Sequence, residues 1–148
     1  MKILFVCKGN HGRSQIAEAI FNDFSNGKHI ATSAGTKVKT EEMDKDGQKV
    51  SDSVIIEVMK ELGIDVSEKI RNQLTQEMVE EADKIIVMAQ EETIPEYLKQ
   101  SKKAIFWKVP DPSKQPIEFA RDVRDKLKTM IADFIESNLE LKTEIKLH

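Results

Sequence analysis

The residues able to do chemistry are concentrated near one end of the chain, in Cys7-Lys8-Gly9-Asn10-His11-Gly12-Arg13-Ser14. Cys7 is the only cysteine, and a thiolate is a strong nucleophile that helix N-termini and neighbouring cations favour over the thiol. Arg13 presents a planar fork that matches two oxygens of a phosphate or arsenate. Two glycines between them allow a tight loop whose backbone N–H groups lack intrachain partners. Where such a loop opens a helix, those donors and the helix dipole together favour an anion. Ser14 is of the N-cap type and has a hydroxyl to offer a thiolate. The combined chemistry is the seating of a tetrahedral oxyanion over sulfur, with the loop from Lys8 to Ser14 (Lys8, Gly9, Asn10, His11, Gly12, Arg13 and Ser14) as its cradle.

That reading requires a strand to deliver the cysteine and a helix to begin just after it. The short continuous apolar run Ile3-Leu4-Phe5-Val6 is a buried strand, assigned to residues 2–6. Ile16, Ile20, Phe21 and Phe24 then recur at helical spacing until Asn26-Gly27. Further strands are expected over residues 29–33, 84–88 and 103–108. Helices are expected from Ser51–Ser53 to Gly63, over 73–82, over 91–101 with Pro95 near the first turn, and from Ile117 to about Ser137-Asn138. Residues 37–50 read as a long exposed charged loop and the tail to His148 as loosely held. Alternating strands and helices imply a single α/β domain over residues 1–148, a four-stranded parallel sheet with helices on both faces and a phosphate-binding loop after the first strand. Ligands of such sheets bind beyond the C-terminal strand ends. Cys7, Ser33 and Asp111 all follow strands and so can converge there.

The spacing of cysteine, five residues, arginine and serine resembles the low-molecular-weight protein tyrosine phosphatases and the arsenate reductases that share their fold. Ser33-Ala34-Gly35-Thr36, Glu61-Leu62-Gly63-Ile64-Asp65, Gln73-Leu74-Thr75, Ala82 to Met88 and Asp111-Pro112 follow in family order, so the likeness covers nearly the whole chain. The resemblance implies that Cys7 attacks phosphorus, that Arg13 and the loop hold the equatorial oxygens, and that a cysteinyl phosphate forms. It assigns Asp111, of the Asp-Pro pair, as the general acid that protonates the leaving oxygen and then activates water. It also implies a hydrogen bond from Ser33 to Asn10, supporting the loop along with Ser14, and a substrate-facing place for His11. His29 reads as structural.

This sequence departs from the pattern in its choice of neighbours. Lys8 stands where the phosphatases commonly have an apolar residue, and Ser113-Lys114 follow Asp111-Pro112 where aromatic residues commonly grip a phenyl ring. The pocket is therefore expected to be polar and basic, suited to small or acidic phosphoesters or a bare oxyanion. Gly12 replaces a second loop cysteine, which excludes a disulfide within the loop. Gly9-Asn10, Gly12, Arg13-Ser14-Gln15 and Val123-Arg124-Asp125 resemble the reductase branch at least as closely. Lacking further cysteines, such a reductase would need an external thiol.

Composition narrows the field. The 148-residue chain has a net charge of −3 with both signs interspersed, which advertises no nucleic-acid-binding face. One cysteine fits a reducing compartment. No apolar run reaches membrane-spanning length, and Met1 to Val6 is too short for a signal segment. These features lead us to expect a cytoplasmic protein without membrane association, acting as a monomer or weak homodimer on a phosphorylated protein, a small phosphoester or arsenate. No histidine, cysteine or carboxylate spacing calls for a metal, and no cofactor is expected. A noncatalytic phosphate-binding module is the reading from another class. Binding alone, however, needs neither a nucleophile nor an acid.

Overall fold

The computed structural model describes residues 1–138. Its elements are β1 (Lys2–Cys7), α1 (Arg13–Ser25), β2 (Ile30–Gly35), α2 (Ser53–Lys60), α3 (Gln76–Glu81), β3 (Lys84–Val87), α4 (Glu96–Lys99), β4 (Ala104–Phe106) and α5 (Ile117–Asn138). The four strands pair in parallel in the order β2-β1-β3-β4, with Cys7 opposite Gly35 and Val6 opposite Val87. The chain leaves β1 for one neighbour and returns to the other, so the crevice beyond β1 and β3 is the place where such sheets take ligands.

The apolar run of β1 is continuous because both faces of the strand are covered. Ile3, Phe5 and Cys7 lie in the core with α1, α2 and α5, whereas Leu4 and Val6 pack with Leu74, Val79, Ile94 and Leu98 on the side of α3 and α4. Phe5 meets Phe21 and Trp107, and Trp107 meets Phe134, with ring centroids 6.0, 6.4 and 6.2 Å apart. These aromatic contacts join α1, the end of β4 and α5 behind the strand that carries Cys7.

Helix boundaries follow local chemistry. Asn26 closes α1 in the left-handed conformation (φ 51°), followed by Gly27 at φ 86°. Asp52 caps α2 by accepting from the backbone of Val54 and Ile55. Gly63 turns the chain after α2 at φ 77°.

Several expected boundaries are corrected. The helix expected over 91–101 is a 3₁₀ turn (Glu91–Thr93) and a separate four-residue α4, because Pro95 has no N–H to continue the ladder and pushes the residue before it to extended backbone. The helix expected over 73–82 starts at Gln76, with Thr75 as its cap. Gln73 instead ties down the chain beyond β2: its Oε1 accepts from the Val38 and Lys39 N–H groups, and its Nε2 donates to the Thr36 carbonyl. The second strand runs later than 29–33, to Gly35, and the fourth is shorter than 103–108. Ser14 is not the cap of α1. That place falls to Gly12, and Ser14 lies inside the first turn. The loop over residues 37–50 is exposed along most of its length but is anchored by buried Val38 and Val50. The expected loose tail lies outside the described residues. Among those residues no helix is long and apolar enough to cross a membrane.

Candidate active site

Cys7 ends the central strand with only 2% of its surface exposed. Its Sγ lies 3.0 Å from Ser14 Oγ. The Ser14 hydroxyl accepts from Asn10 Nδ2 at 2.7 Å, and its own hydrogen remains available to the sulfur. The same Asn10 amide donates to Ser33 Oγ at 2.9 Å, the contact implied by the resemblance, and Ser33 in turn donates to Glu18 Oε1 at 2.9 Å. Asn10 Oδ1 accepts from the Asn72 N–H at 2.7 Å and from Gln15 Nε2 at 3.2 Å. Asn10 is fully buried at φ 50°, a left-handed conformation that asparagine tolerates better than most residues, and its side chain is held from every side. This network fixes the loop.

Close packing of the neighbouring strand end adds to the constraint. A Cβ on Gly35 would sit 2.6 Å from the Lys8 carbonyl oxygen, 2.6 Å from Val38 Cγ2 and 2.8 Å from the Asn10 nitrogen, so only glycine fits. Thr36 and Lys37 donate their N–H groups to the Cys7 and Lys8 carbonyls, both at 2.9 Å. The carbonyls on that side of the loop are thereby satisfied. The backbone N–H groups from Gly9 to Gln15, by contrast, have no protein acceptor among the described residues, while α1 begins at Arg13. Such donors at the start of a thirteen-residue helix form an anion seat.

Arg13 is buried and anchored across the crevice. Its Nη1 donates to the Met88 carbonyl at 2.7 Å and the Val109 carbonyl at 3.2 Å, and its Nη2 to Gln90 Oε1 at 3.3 Å. The guanidinium thus bridges the chain ends after β3 and after β4. Nη2 also lies 4.0 Å from Asp111 Oδ2, on a carboxylate whose side chain is 44% exposed. Asp111 Oδ1 accepts from the Ser113 N–H at 2.9 Å, and Pro112 is buried close to Gly12, where a Cβ would meet its Cγ at 3.3 Å. Those contacts hold the carboxylate at the mouth of a recess of about 170 Å³ that Cys7, Gly9, Gly12 and Arg13 help to line.

Two further loop side chains, His11 and Lys8, also line the recess. His11 lines the recess, yet its Nε2 accepts from the backbone N–H groups of Ser51 (3.0 Å) and Asp52 (3.2 Å), so the ring joins the loop to the start of α2. Burial, and then the charge of Arg71, lower its pKa from 6.5 against the opposing pull of Asp52. Lys8 is exposed at the rim. The sequence reading missed Arg71 altogether: its Nε and Nη2 donate to the Gly9 carbonyl at 3.2 and 3.0 Å. No local pattern marks a residue that reaches the loop from 62 positions away. Among the described residues no three histidine, cysteine or carboxylate side chains gather as a metal site.

A family model described as low molecular weight phosphotyrosine protein phosphatase matches residues 2–146. The chain belongs to this family. Its members carry more than one activity in their names. A glutaredoxin arsenate reductase of Synechocystis is 30% identical over 138 residues, covering 90% of this chain and 95% of that one. A low molecular weight protein tyrosine phosphatase from T. tengcongensis superimposes with a TM-score of 0.79 at 31% identity, covering 93% and 99%. The YwlE arginine phosphatase from Geobacillus stearothermophilus does so at 0.77 and 28%, covering 99% and 96%. Family membership therefore shows an enzyme fold, and these relatives of the phosphotyrosine phosphatase-family chain are named for reactions of phosphate or arsenate.

Proposed function

We propose that the protein is a phosphomonoester hydrolase that works through a cysteinyl-phosphate intermediate. The observation that carries the reading is the placement of Asp111 Oδ2 4.0 Å from Arg13 Nη2 at the mouth of the recess that contains Cys7. Ester cleavage needs a nucleophile and an acid on opposite sides of the transferred group, and both are supplied.

In this mechanism the Cys7 thiolate attacks phosphorus in line, forming the S–P bond as the P–O bond to the leaving group breaks. The free loop N–H groups and the uncommitted edge of Arg13 hold the equatorial oxygens, whose charge the transition state redistributes. Asp111 gives its proton to the departing oxygen. Water, deprotonated by the same carboxylate, then attacks phosphorus and releases Cys7 and inorganic phosphate. The Ser14 hydroxyl stabilises the sulfur anion at the start and at the end of the cycle. One cysteine in the whole chain suits a reducing compartment such as the cytoplasm.

A second reading, arsenate reduction, is favoured by the curated relative that bears that name. Arsenate would occupy the same seat and form an S–As bond with loss of water. The two electrons that take As(V) to As(III) would come from external thiols, oxidised to a disulfide, because this chain has no second cysteine. Parallel assays on the purified protein separate the two: p-nitrophenyl phosphate and a phosphotyrosine peptide on one side, arsenate with a small thiol on the other. The hydrolase reading expects ester turnover without thiol. Thiol-dependent arsenate loss with no ester turnover would replace it.

A further inference from the structure

The recess around Cys7 is ringed by more positive charge than one phosphoryl group needs. Arg13 at its floor is already matched to the oxyanion. Lys8, Lys37 and Arg71 line the rim as well, against Asp111 as the one carboxylate in the lining. Among the described residues none of these three cations has a carboxylate oxygen within 4.0 Å. Their positions are built rather than incidental. Arg71 is half-buried and spends Nε and Nη2 on the Gly9 carbonyl, leaving Nη1 uncommitted. Lys37 is placed beside Lys8 by the bond from its own N–H to the Lys8 carbonyl, and Gln73 clamps the chain just beyond it.

Apolar grip is scarce by comparison. Met43 is the only large apolar side chain in the lining, which contains no phenylalanine, tyrosine or tryptophan. A volume of about 170 Å³ holds the transferred group and little else, far below the roughly 300–1,000 Å³ that encloses a larger ligand. A substrate that extends past the recess on the side of Lys8, Lys37 and Arg71 lies against these cations.

Resting on the hydrolase reading for the identity of the site, we infer that Lys8, Lys37 and Arg71 select small phosphomonoesters that carry a second anionic group, such as a carboxylate, next to the ester. A cationic leaving group, such as the guanidinium of a phosphoarginine, meets three like charges and is disfavoured. An uncharged phenyl ring brings no counter-charge to them. Burial lowers the Arg71 pKa, and the charge of Cys7 opposes that shift, so the rim and the nucleophile feel one another.

The test is binding of two non-hydrolysable probes, benzylphosphonate and its 3-carboxybenzyl counterpart, measured by calorimetry on the full chain at low and high salt. The carboxylated probe is expected to bind about fivefold or more tightly at low ionic strength, the sum of a few weak exposed ion pairs, with the advantage shrinking as salt rises. Arg71→Gln and Lys37→Gln should each reduce the ratio of the two dissociation constants, and together bring it close to unity. Lys37 is exposed, so its variant reads the charge even if Arg71→Gln disturbs the loop. Equal binding of the two probes by the wild-type protein, or a ratio unchanged in the double variant, would overturn the inference. Because binding is read without turnover, a preserved preference in a protein that hydrolyses no ester would defeat the hydrolase reading and leave the cationic rim standing.

Discussion

Ser14 Oγ lies 3.0 Å from Cys7 Sγ and accepts from Asn10 Nδ2, which leaves its hydrogen free to be donated to a thiolate at Cys7. In the proposed mechanism the serine is a donor to the attacking sulfur and not a passive helix residue. Ser14→Ala should leave the fold in place, since the side chain is small. Removing a hydrogen bond to a charged group costs about 1.5–3 kcal/mol, which is roughly a ten- to hundred-fold loss in rate. Both alkylation of Cys7 by iodoacetamide at neutral pH and release of phosphate from the phosphoenzyme should slow. Alkylation at the wild-type rate would show that the hydroxyl does not serve the thiolate.

Asp111→Asn separates an acid from a turn residue. A phenoxide of high basicity cannot leave unprotonated, so single-turnover phosphorylation should fall steeply with phenyl phosphate and much less with p-nitrophenyl phosphate. Breakdown of the phosphoenzyme should slow with both, through loss of the base. Equal proportional losses in phosphorylation for the two esters, with a lowered melting temperature, would assign Asp111 to the Ser113 turn alone.

His11 contributes a pH dependence of known sign. Two backbone donors at Nε2 require a lone pair there, and the folded protein resists protonating the ring, holding its pKa below 6.5. As pH falls below 6.5 the unfolded chain takes the proton first, so this contribution is complete above that value and is lost as pH falls toward the folded pKa. Melting temperature measured from pH ~7.5 down to ~5 should fall less steeply for His11→Gln, which can accept but does not titrate. Identical slopes would detach His11 from the start of α2.

The segment Val123-Arg124-Asp125 has a packing role in this structure. Buried Arg124 donates to the Val58 carbonyl at 2.8 Å and to Glu61 Oε1 at 2.6 Å, and Arg121 pairs with the same carboxylate, tying α5 to the end of α2. These hydrogen bonds, first from Arg121 and then from Arg124, lower the Glu61 pKa from 4.5 to about 2. The stability they give is present above 4.5 and is lost as pH falls toward 2. Glu61→Gln should lower the melting temperature at neutral pH and flatten its decline across that acid window. A decline as steep as the wild type's would place the acid sensitivity elsewhere.

Much of the architecture was legible because its signals are local. The apolar run of β1, the Asn26-Gly27 stop, the Asp52 cap and the stripe of α5 each follow from a few neighbouring residues. Pro95 was visible too, but its effect was underestimated: it divides the segment into two short pieces instead of starting one helix. The loop from Cys7 to Ser14 was legible as a candidate site from residue types alone, and its tie to Ser33 came through the family resemblance. What escaped the sequence is made by tertiary approach. Arg71 reaches Gly9, Gln73 clamps residues 36–39 and His11 meets Ser51, and none of these pairs is announced by spacing. Arg13 was expected to face the anion. That its Nη1 also bridges the carbonyls of Met88 and Val109 could be known only once the sheet order was.

The most direct test of covalent catalysis by Cys7 is a rapid-mix experiment with p-nitrophenyl phosphate, joined to mass analysis of chain quenched during turnover. The account predicts p-nitrophenol release with a phosphoryl adduct that maps to Cys7, and neither turnover nor a sulfur-bound adduct in Cys7→Ser. An adduct on any other residue, or turnover by Cys7→Ser at the wild-type rate, would contradict it.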